Sequence, residues 1–326
     1  MAANNKHEVI AGSNLENVLR AGHFAVTGEL GPPTGADKSV IEEKAEHLKG
    51  IVDAVNITDN QTAVARMSSI SVGSMLVDLG LEPVIQMTVR DRNRLAIQAD
   101  LFGAWALGAR NLLCLTGDHM TFGNHPEAKG VYDMDSIQFL QVMRRMGEEG
   151  TAESGDELEG APSFFLGAAA NPFAPPYEYR PYRLAKKVQA GAKFIQTQCI
   201  YNIPRFKEYM QRAGDLGLLD DVYVLAGVTP LKSSGMAWYM ANNVPGLDVP
   251  KDVVGRMKAA VSDIPKEDKK ARSKAQREEG IQICVETIEQ MKEIPGVSGV
   301  HIMAIEWEPA VSVIAEKAGL LPRPTV

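Results

Sequence analysis

Two carboxylates stand where a carboxylate can do chemistry. Glu29 ends the apolar run His23-Phe24-Ala25-Val26-Thr27-Gly28 and precedes Gly31-Pro32-Pro33, a turn that cannot continue regular structure. A carboxyl group held at such a strand end can serve as a general acid; the plainer reading is a carboxylate that caps the turn. Asp118 closes Leu112-Leu113-Cys114-Leu115-Thr116-Gly117-Asp118, and the neighbouring Gly117 lets a ligand approach the backbone closely. Its plainer reading is an Asx turn. The third signal is basic. Arg183 and Lys187 are four residues apart and share a helix face, with Lys186 between them and Lys193 beyond. Near a helix N-terminus such a group suits a phosphate or diphosphate, although taken alone it reads better as a solvated face. The run Lys266 to Glu279 mixes both signs and reads only as a solvated helix surface.

These side chains need rigid elements to aim them, and the chain repeats one pattern: an apolar strand, a polar tip, then a helix. The strands are expected at His23–Glu29, Ile51–Thr58, Pro83–Thr88, Leu112–Leu115, Ser163–Ala170, Phe194–Gln198, Val222–Gly227 and Gly299–Ile305. Helices are expected between them, including Asp91–Leu107 with Leu95, Ala99, Phe102 and Ala106 on one face, and Arg183–Gly191. Eight such units predict one α/β domain over residues 1–326, a single (β/α)₈ TIM barrel, with Met1–Asn14 frayed. The runner-up is an open doubly wound sheet, but no Gly-x-Gly-x-x-Gly follows the first strand. In a barrel the active site lies at the carboxyl ends of the strands. Those ends read Glu29, Thr58 with Asp59, Thr88 with Arg90, Asp118, Asn171, Gln198, Thr229 and Glu306, a wholly polar set on apolar strands.

Composition narrows the classes. The 326 residues carry a formal net charge of −7, which argues against nucleic acid as the main partner. Cys114, Cys199 and Cys284 form no CxxC pair, so neither a structural zinc nor an iron–sulfur cluster is expected on this chain alone. No apolar run is long enough to span a bilayer, and Met1–Val9 lacks the apolar core of a signal peptide; the cytoplasm is the default expectation.

Four segments in order resemble the methylenetetrahydrofolate reductase family. They are Gly28-Glu29-Leu30-Gly31-Pro32-Pro33, Leu115-Thr116-Gly117-Asp118, Leu184 to Ala192 (Leu-Ala-Lys-Lys-Val-Gln-Ala-Gly-Ala), and Thr197-Gln198. The resemblance runs from about His23 to Gly319 and implies a flavin enzyme on a (β/α)₈ barrel. It implies reduction of 5,10-methylenetetrahydrofolate to the 5-methyl form, or the reverse, by hydride transfer from flavin N5. Glu29 falls on the family's general acid, Asp118 on the aspartate that contacts flavin and folate, and Gln198 on the glutamine that binds the pterin. Thr58, Asp59, Gln86, Thr116 and Gly117 fall on flavin-lining positions, with Asn171 near the flavin. Arg183, Lys186 and Lys187 fall on the helix that holds its phosphates. The implied cofactor is FAD, with FMN the alternative, and the electron donor is NADH, NADPH or a reduced partner protein.

Departures from the family pattern bear on the donor and the substrate. Gln86 stands where many members have histidine, Asn171 replaces an aromatic, and Ser234 stands about where a phenylalanine often stacks on substrate or nicotinamide. Ile305-Glu306-Trp307 replaces a Leu-Asn-Arg whose arginine helps hold substrate. These changes resemble the branch in anaerobes whose reductase works beside a zinc- or iron–sulfur-containing subunit, so a homo- or hetero-oligomer is expected. Two other functions fit the residues: a pterin-binding barrel that hands methyl groups to a corrinoid protein, and a reductase subunit active only with an electron-delivering partner.

Overall fold

The computed structural model describes residues 10–326. The chain opens with α1 (Asn14–Arg20) and β1 (Ala25–Leu30), then α2 (Ser39–Glu46), β2 (Ala54–Ile57), α3 (Ser69–Asp78), β3 (Pro83–Thr88), α4 (Arg94–Ala106) and β4 (Asn111–Leu115). It continues with α5 (Ser136–Glu149), β5 (Phe165–Ala170), α6 (Arg180–Ala190), β6 (Phe194–Cys199), α7 (Ile203–Asp215) and β7 (Tyr223–Val228). The last segment holds α8 (Ser234–Asn243), α9 (Lys251–Ala259), α10 (Lys269–Lys292), β8 (Val297–Ile302) and α11 (Pro309–Lys317). The eight strands pair in sequence order, all parallel, and β8 pairs back onto β1 through Ala25↔Gly299 to Gly28↔Ile302. This is the expected closed (β/α)₈ barrel.

Alternation along the strands divides the apolar residues into two cores. Outward positions such as Val26, Leu30, Val55 and Ile57 meet the helices in the main core. Inward positions at the amino ends, Ala25, Ala54, Val84, Leu113, Phe165, Phe194 and Leu225, pack with Leu15, Val18 and Leu19 of α1. That helix therefore plugs the bottom of the barrel, leaving the carboxyl ends of the strands as the open mouth. The plug is tight: a Cβ on Gly167 would lie 2.2 Å from the ring of the fully buried Phe194, itself stacked on Phe165 at 5.1 Å. Gly167→Ala is expected to lower unfolding stability by about 1–3 kcal/mol through overpacking, read as an earlier denaturant midpoint with an unchanged slope.

Several boundaries differ from those the sequence suggests. The expected fraying of Met1–Asn14 concerns Met1–Val9, which lie outside the described residues, and Ile10–Asn14, which are tied down. The buried carboxylate of Glu16 accepts the backbone N–H groups of Ile10, Ala11 and Gly12, and Ser13 caps α1. The buried face of α4 is not the Leu95, Ala99, Phe102 and Ala106 face that the sequence suggests: Leu95 is 74 % exposed and the other three also face outward, while Ile97, Leu101 and Ala104 enter the core. Helix α6 begins three residues early, at Arg180, with Pro181 in its first turn, where the missing N–H has no intrahelical partner to lose. β8 ends at Ile302, so Glu306 is not a strand tip. It sits exposed in the following loop with φ 49°.

Candidate active site

The main cavity at the barrel mouth has a volume of about 330 Å³, within the roughly 300–1,000 Å³ common for small-molecule sites. Its walls are of three kinds. Leu113, Leu115, Ala169, Ala170 and Leu184 supply flat apolar surface. Arg180, Arg183 and Lys187, at i, i+3 and i+7 of α6, supply positive charge from one side. Glu29, Gln86, Asn171, Gln198 and His301 supply hydrogen-bonding groups.

Strand alternation explains how β1 and β8 aim their side chains. On β1, Ala25, Thr27 and Glu29 point inward in three successive layers, so the carboxyl group of Glu29 reaches the cavity while Thr27 stays buried below. On β8 the inward sequence is Gly299, His301 and then Met303 just past the strand. His301 Nε2 lies 3.6 Å from Glu29 Oε2, and the imidazole is only 3 % exposed. Gln86 and Gln198 come up from β3 and β6; the Gln198 side-chain oxygen accepts the N–H of Cys199 at 2.9 Å. Asn171 follows β5, and its Oδ1 accepts the N–H of Phe173.

The α6 cations are not neutralised by ion pairing along their helix. Arg180 donates to the carbonyls of Ala174 and Pro175, and Lys187 Nζ donates to the carbonyl of Ala169. Burial, followed by repulsion from Arg183, lowers the Lys187 pKa to about 8. A strong cluster of donors therefore faces the cavity with capacity to take an anion.

Other expected site residues lie elsewhere. Lys186 is exposed on the outer face of α6, 6.0 Å over the Tyr179 ring, and does not line the cavity. Asp59 is buried beneath the mouth: it accepts from the N–H and hydroxyl of Thr88 and pairs with Arg92 at 2.7 Å. Arg90 is likewise internal, held by Asp91 at 2.7 Å and by the carbonyls of Asn60 and Asp118. Thr58 is buried, with a hydroxyl that has no hydrogen-bond partner. Thr116 and Asp118 are exposed and lie outside the cavity lining; Asp118 Oδ2 accepts the N–H of Thr62 at 2.9 Å. Asp118 thus braces Gln61–Ala63, where Thr62 and Ala63 hold positive φ. Gly117 has φ +92°, and a Cβ there would come within 3.0 Å of Arg90 Cβ, so the turn bearing Asp118 requires glycine. Thr229 lies against Cys199 Sγ at 2.9 Å, below the opening.

His301, Arg180 and Gln196 line the cavity although the sequence singled out none of them. The one available signal was a polar residue on the inward register of an apolar strand, which fits His301 and Gln196 but also many satisfied core residues. Among the described residues, no three His, Cys, Asp or Glu side chains come together as metal ligands, and no helix is long and apolar enough to cross a membrane.

Comparison with known proteins follows the same outline. A solved barrel from Clostridium thermocellum, described as binding two copies of 5-methyl-5,6,7,8-tetrahydrofolic acid, superposes with a TM-score of 0.62 over 95 % of this chain and 100 % of that one, at 16 % identity. It shares the fold. A probable methylenetetrahydrofolate reductase (NADPH) of Caenorhabditis elegans is 23 % identical over 80 % of this chain and 36 % of its own length. Methylenetetrahydrofolate reductase 2 of Schizosaccharomyces pombe is 26 % identical over 73 % of this chain and 36 % of its own. The chain thus spans about a third of the length of these curated relatives. The sequence profile of the methylenetetrahydrofolate reductase family matches residues 14–319, nearly the whole barrel, and the chain belongs to that family.

Proposed function

We propose that this barrel interconverts 5,10-methylenetetrahydrofolate and 5-methyltetrahydrofolate with a bound flavin. One observation carries the reading: a single cavity with apolar walls holds a carboxyl group with a histidine partner and, on α6, three cations that have anion-binding capacity. The donor set fits a flavin. Arg180, Arg183 and Lys187 would hold its phosphates, with the flat walls of Leu113, Leu115 and Ala169 available to its ring and Gln86 to the ring's polar edge. FAD is the proposed form and FMN the alternative. When bound, that flavin supplies the hydride.

The protein's own task is proton placement. Opening the five-membered ring of the substrate requires a proton on the leaving nitrogen, and Glu29 in its acid form supplies it. The rigid Gly31-Pro32-Pro33 turn fixes the strand end that bears Glu29, so the proton is presented from one direction. His301 Nε2 faces the same carboxyl group and steadies whichever protonation state Glu29 adopts. Gln198 reaches the cavity from β6 and is the candidate partner for the pterin's amide edge. Asp118, outside the cavity lining, takes part by holding the turn at Thr62.

The electron donor is NADH, NADPH or a reduced partner protein, and the partner subunit would contain zinc or an iron–sulfur cluster, of which only the cluster can itself carry electrons. The partner reading is favoured by Ser234, which lies in the first turn of α8 with its hydroxyl accepting from Gln276 and offers no aromatic surface to a nicotinamide. The test of the cofactor is an absorption spectrum of the purified protein with mass identification of what it releases. Flavin near one per chain supports the reading. A colourless chain that takes up neither FAD nor FMN would shift it to a pterin-binding methyl-transfer barrel.

A further inference from the structure

At the floor of the cavity, four buried polar side chains from four strands form one hydrogen-bonded chain, with Gln196 and His301 on the cavity wall and Thr27 and Asn56 behind them. Gln196 Nε2 (β6) lies 3.4 Å from Thr27 Oγ1 (β1), and Thr27 Oγ1 lies 3.0 Å from His301 Nδ1 (β8). Asn56 Nδ2 (β2) approaches the same Nδ1 at 3.4 Å. On its other side His301 presents Nε2 to Glu29. A histidine whose tautomer is fixed usually has a carbonyl or carboxylate on its second nitrogen. Here Nδ1 instead faces a hydroxyl and a primary amide, and both kinds of group can donate or accept.

We propose that Thr27, Asn56 and Gln196 form a reversible hydrogen-bond chain that lets His301 take up a proton at Nδ1 so that Glu29 can become an acid. The proposal rests on the reading of Glu29 as the general acid. In one direction Gln196 N–H donates to Thr27, whose O–H donates to Nδ1, so the neutral imidazole keeps its proton on Nε2, which faces the Glu29 carboxylate at 3.6 Å. In this direction Asn56 Oδ1 and Gln196 Oε1 are buried without partners. In the other direction Nδ1–H donates to Thr27 or to Asn56 Oδ1, and Thr27 O–H donates to Gln196 Oε1. Each amide has only to turn over, exchanging its oxygen and nitrogen. The contacts of Nδ1 with Thr27 and Asn56 and of Thr27 with Gln196 can run either way, and in each direction the far end of both amides lacks a partner.

The proton count closes. With Glu29 as carboxylate and His301 neutral, the pair holds one proton, on Nε2. One proton taken from solvent makes the imidazolium; its Nε2 proton passes to Glu29, leaving a carboxylic acid beside an Nδ1–H imidazole, two protons in all. Donation to the substrate nitrogen returns the pair to one. The titratable and charged groups around His301 include Glu29 on β1, the thiol of Cys199 further along β6, which senses the charge of Glu29, and, across the same cavity, Arg180, Arg183 and Lys187 of α6. β2 adds Asn56, which does not ionise.

The test uses the whole chain labelled with ¹⁵N-histidine, in which the ring shifts of His301 report the nitrogen that carries the proton; His301→Gln assigns the signal among six histidines. Thr27→Val keeps the side-chain shape and removes the hydroxyl. It is expected to make Nδ1 protonation about tenfold less favourable, lowering its midpoint by about one pH unit. The folate half-reaction should slow about tenfold with KM unchanged, and Thr27→Ser should restore both. Should Thr27→Val fail to fold, Gln196→Met removes the far end of the chain and is expected to shift the midpoint in the same direction. An unshifted midpoint overturns the proposed chain whatever the rate. A shifted midpoint with a native folate rate leaves the chain in place and overturns the general-acid reading beneath it.

Discussion

Glu29→Gln is expected to lower the folate half-reaction by roughly 10²–10⁴-fold while the donor still reduces the bound flavin at close to the native rate. The asymmetry follows from placement. Glu29 faces the cavity and His301, whereas the cations on α6 approach from the opposite kind of wall. Glutamine keeps the length and a hydrogen-bond donor but cannot release a proton to the leaving nitrogen. Rapid mixing of each half-reaction separately gives the readout. A Glu29→Gln protein that turns over methylenetetrahydrofolate at the native rate sinks the assignment, whereas equal losses in both half-reactions point to a misfolded mouth.

The second large effect concerns the α6 cations. Arg183→Ala combined with Lys187→Met is expected to weaken flavin retention by at least about 100-fold, because each charge-assisted contact to a phosphate contributes about 1.5–3 kcal/mol. Equilibrium dialysis against free FAD and FMN measures it. Lys186→Met, on the exposed side of the same helix, is the internal control and should change affinity little. The pH dependence carries a defined sign. In the folded, flavin-free protein Lys187 titrates at about 8, displaced downward from its ordinary 10.5 by burial and then by Arg183. Flavin affinity should therefore fall as pH rises past about 8, where the free site loses one of its charges. Folding stability of the flavin-free chain should move the other way. Between about 8 and 10.5 the unfolded chain still holds a proton that the folded chain has released, so stability rises with pH across that window; below it Lys187 is protonated in both states and contributes no slope. Lys187→Met should flatten both curves.

The barrel was legible because its strands are short apolar runs with polar tips, and Leu112 to Leu115 could scarcely be anything else. Boundaries failed where apolarity outlasted the ladder. After Ile302, Met303 still donates its N–H to Val228 of β7, but Ala304 and Ile305 continue the apolar run beyond the strand, so Glu306 stands in the following loop and not at the strand end. On α4 two apolar stripes coexist, and nothing in the spacing tells Leu95 and Phe102, which face outward, from Ile97 and Leu101, which are buried. On α6 a three-residue error in the start concealed Arg180; counted from there, Arg180, Arg183 and Lys187 share the inner face while Lys186 is turned about 100° from Lys187. Glu29 was readable because a single strand and a single turn position it. The groups beneath it were not: Thr27, Asn56, Gln196 and His301 belong to four strands, and only closure of the barrel brings them into contact. Asp118 was found through its glycine, yet that same turn engages Thr62, a contact between two loops that no periodicity encodes.

The central claim is that this chain passes reducing equivalents from a bound flavin to a folate one-carbon unit. Its most direct test is anaerobic: the protein is loaded with FAD, reduced by an artificial donor, freed of excess donor and mixed with 5,10-methylenetetrahydrofolate. The account predicts that the flavin absorbance returns and that one 5-methyltetrahydrofolate forms per flavin reoxidised. A flavin that stays reduced in the presence of saturating substrate, with no methyl product, would contradict it.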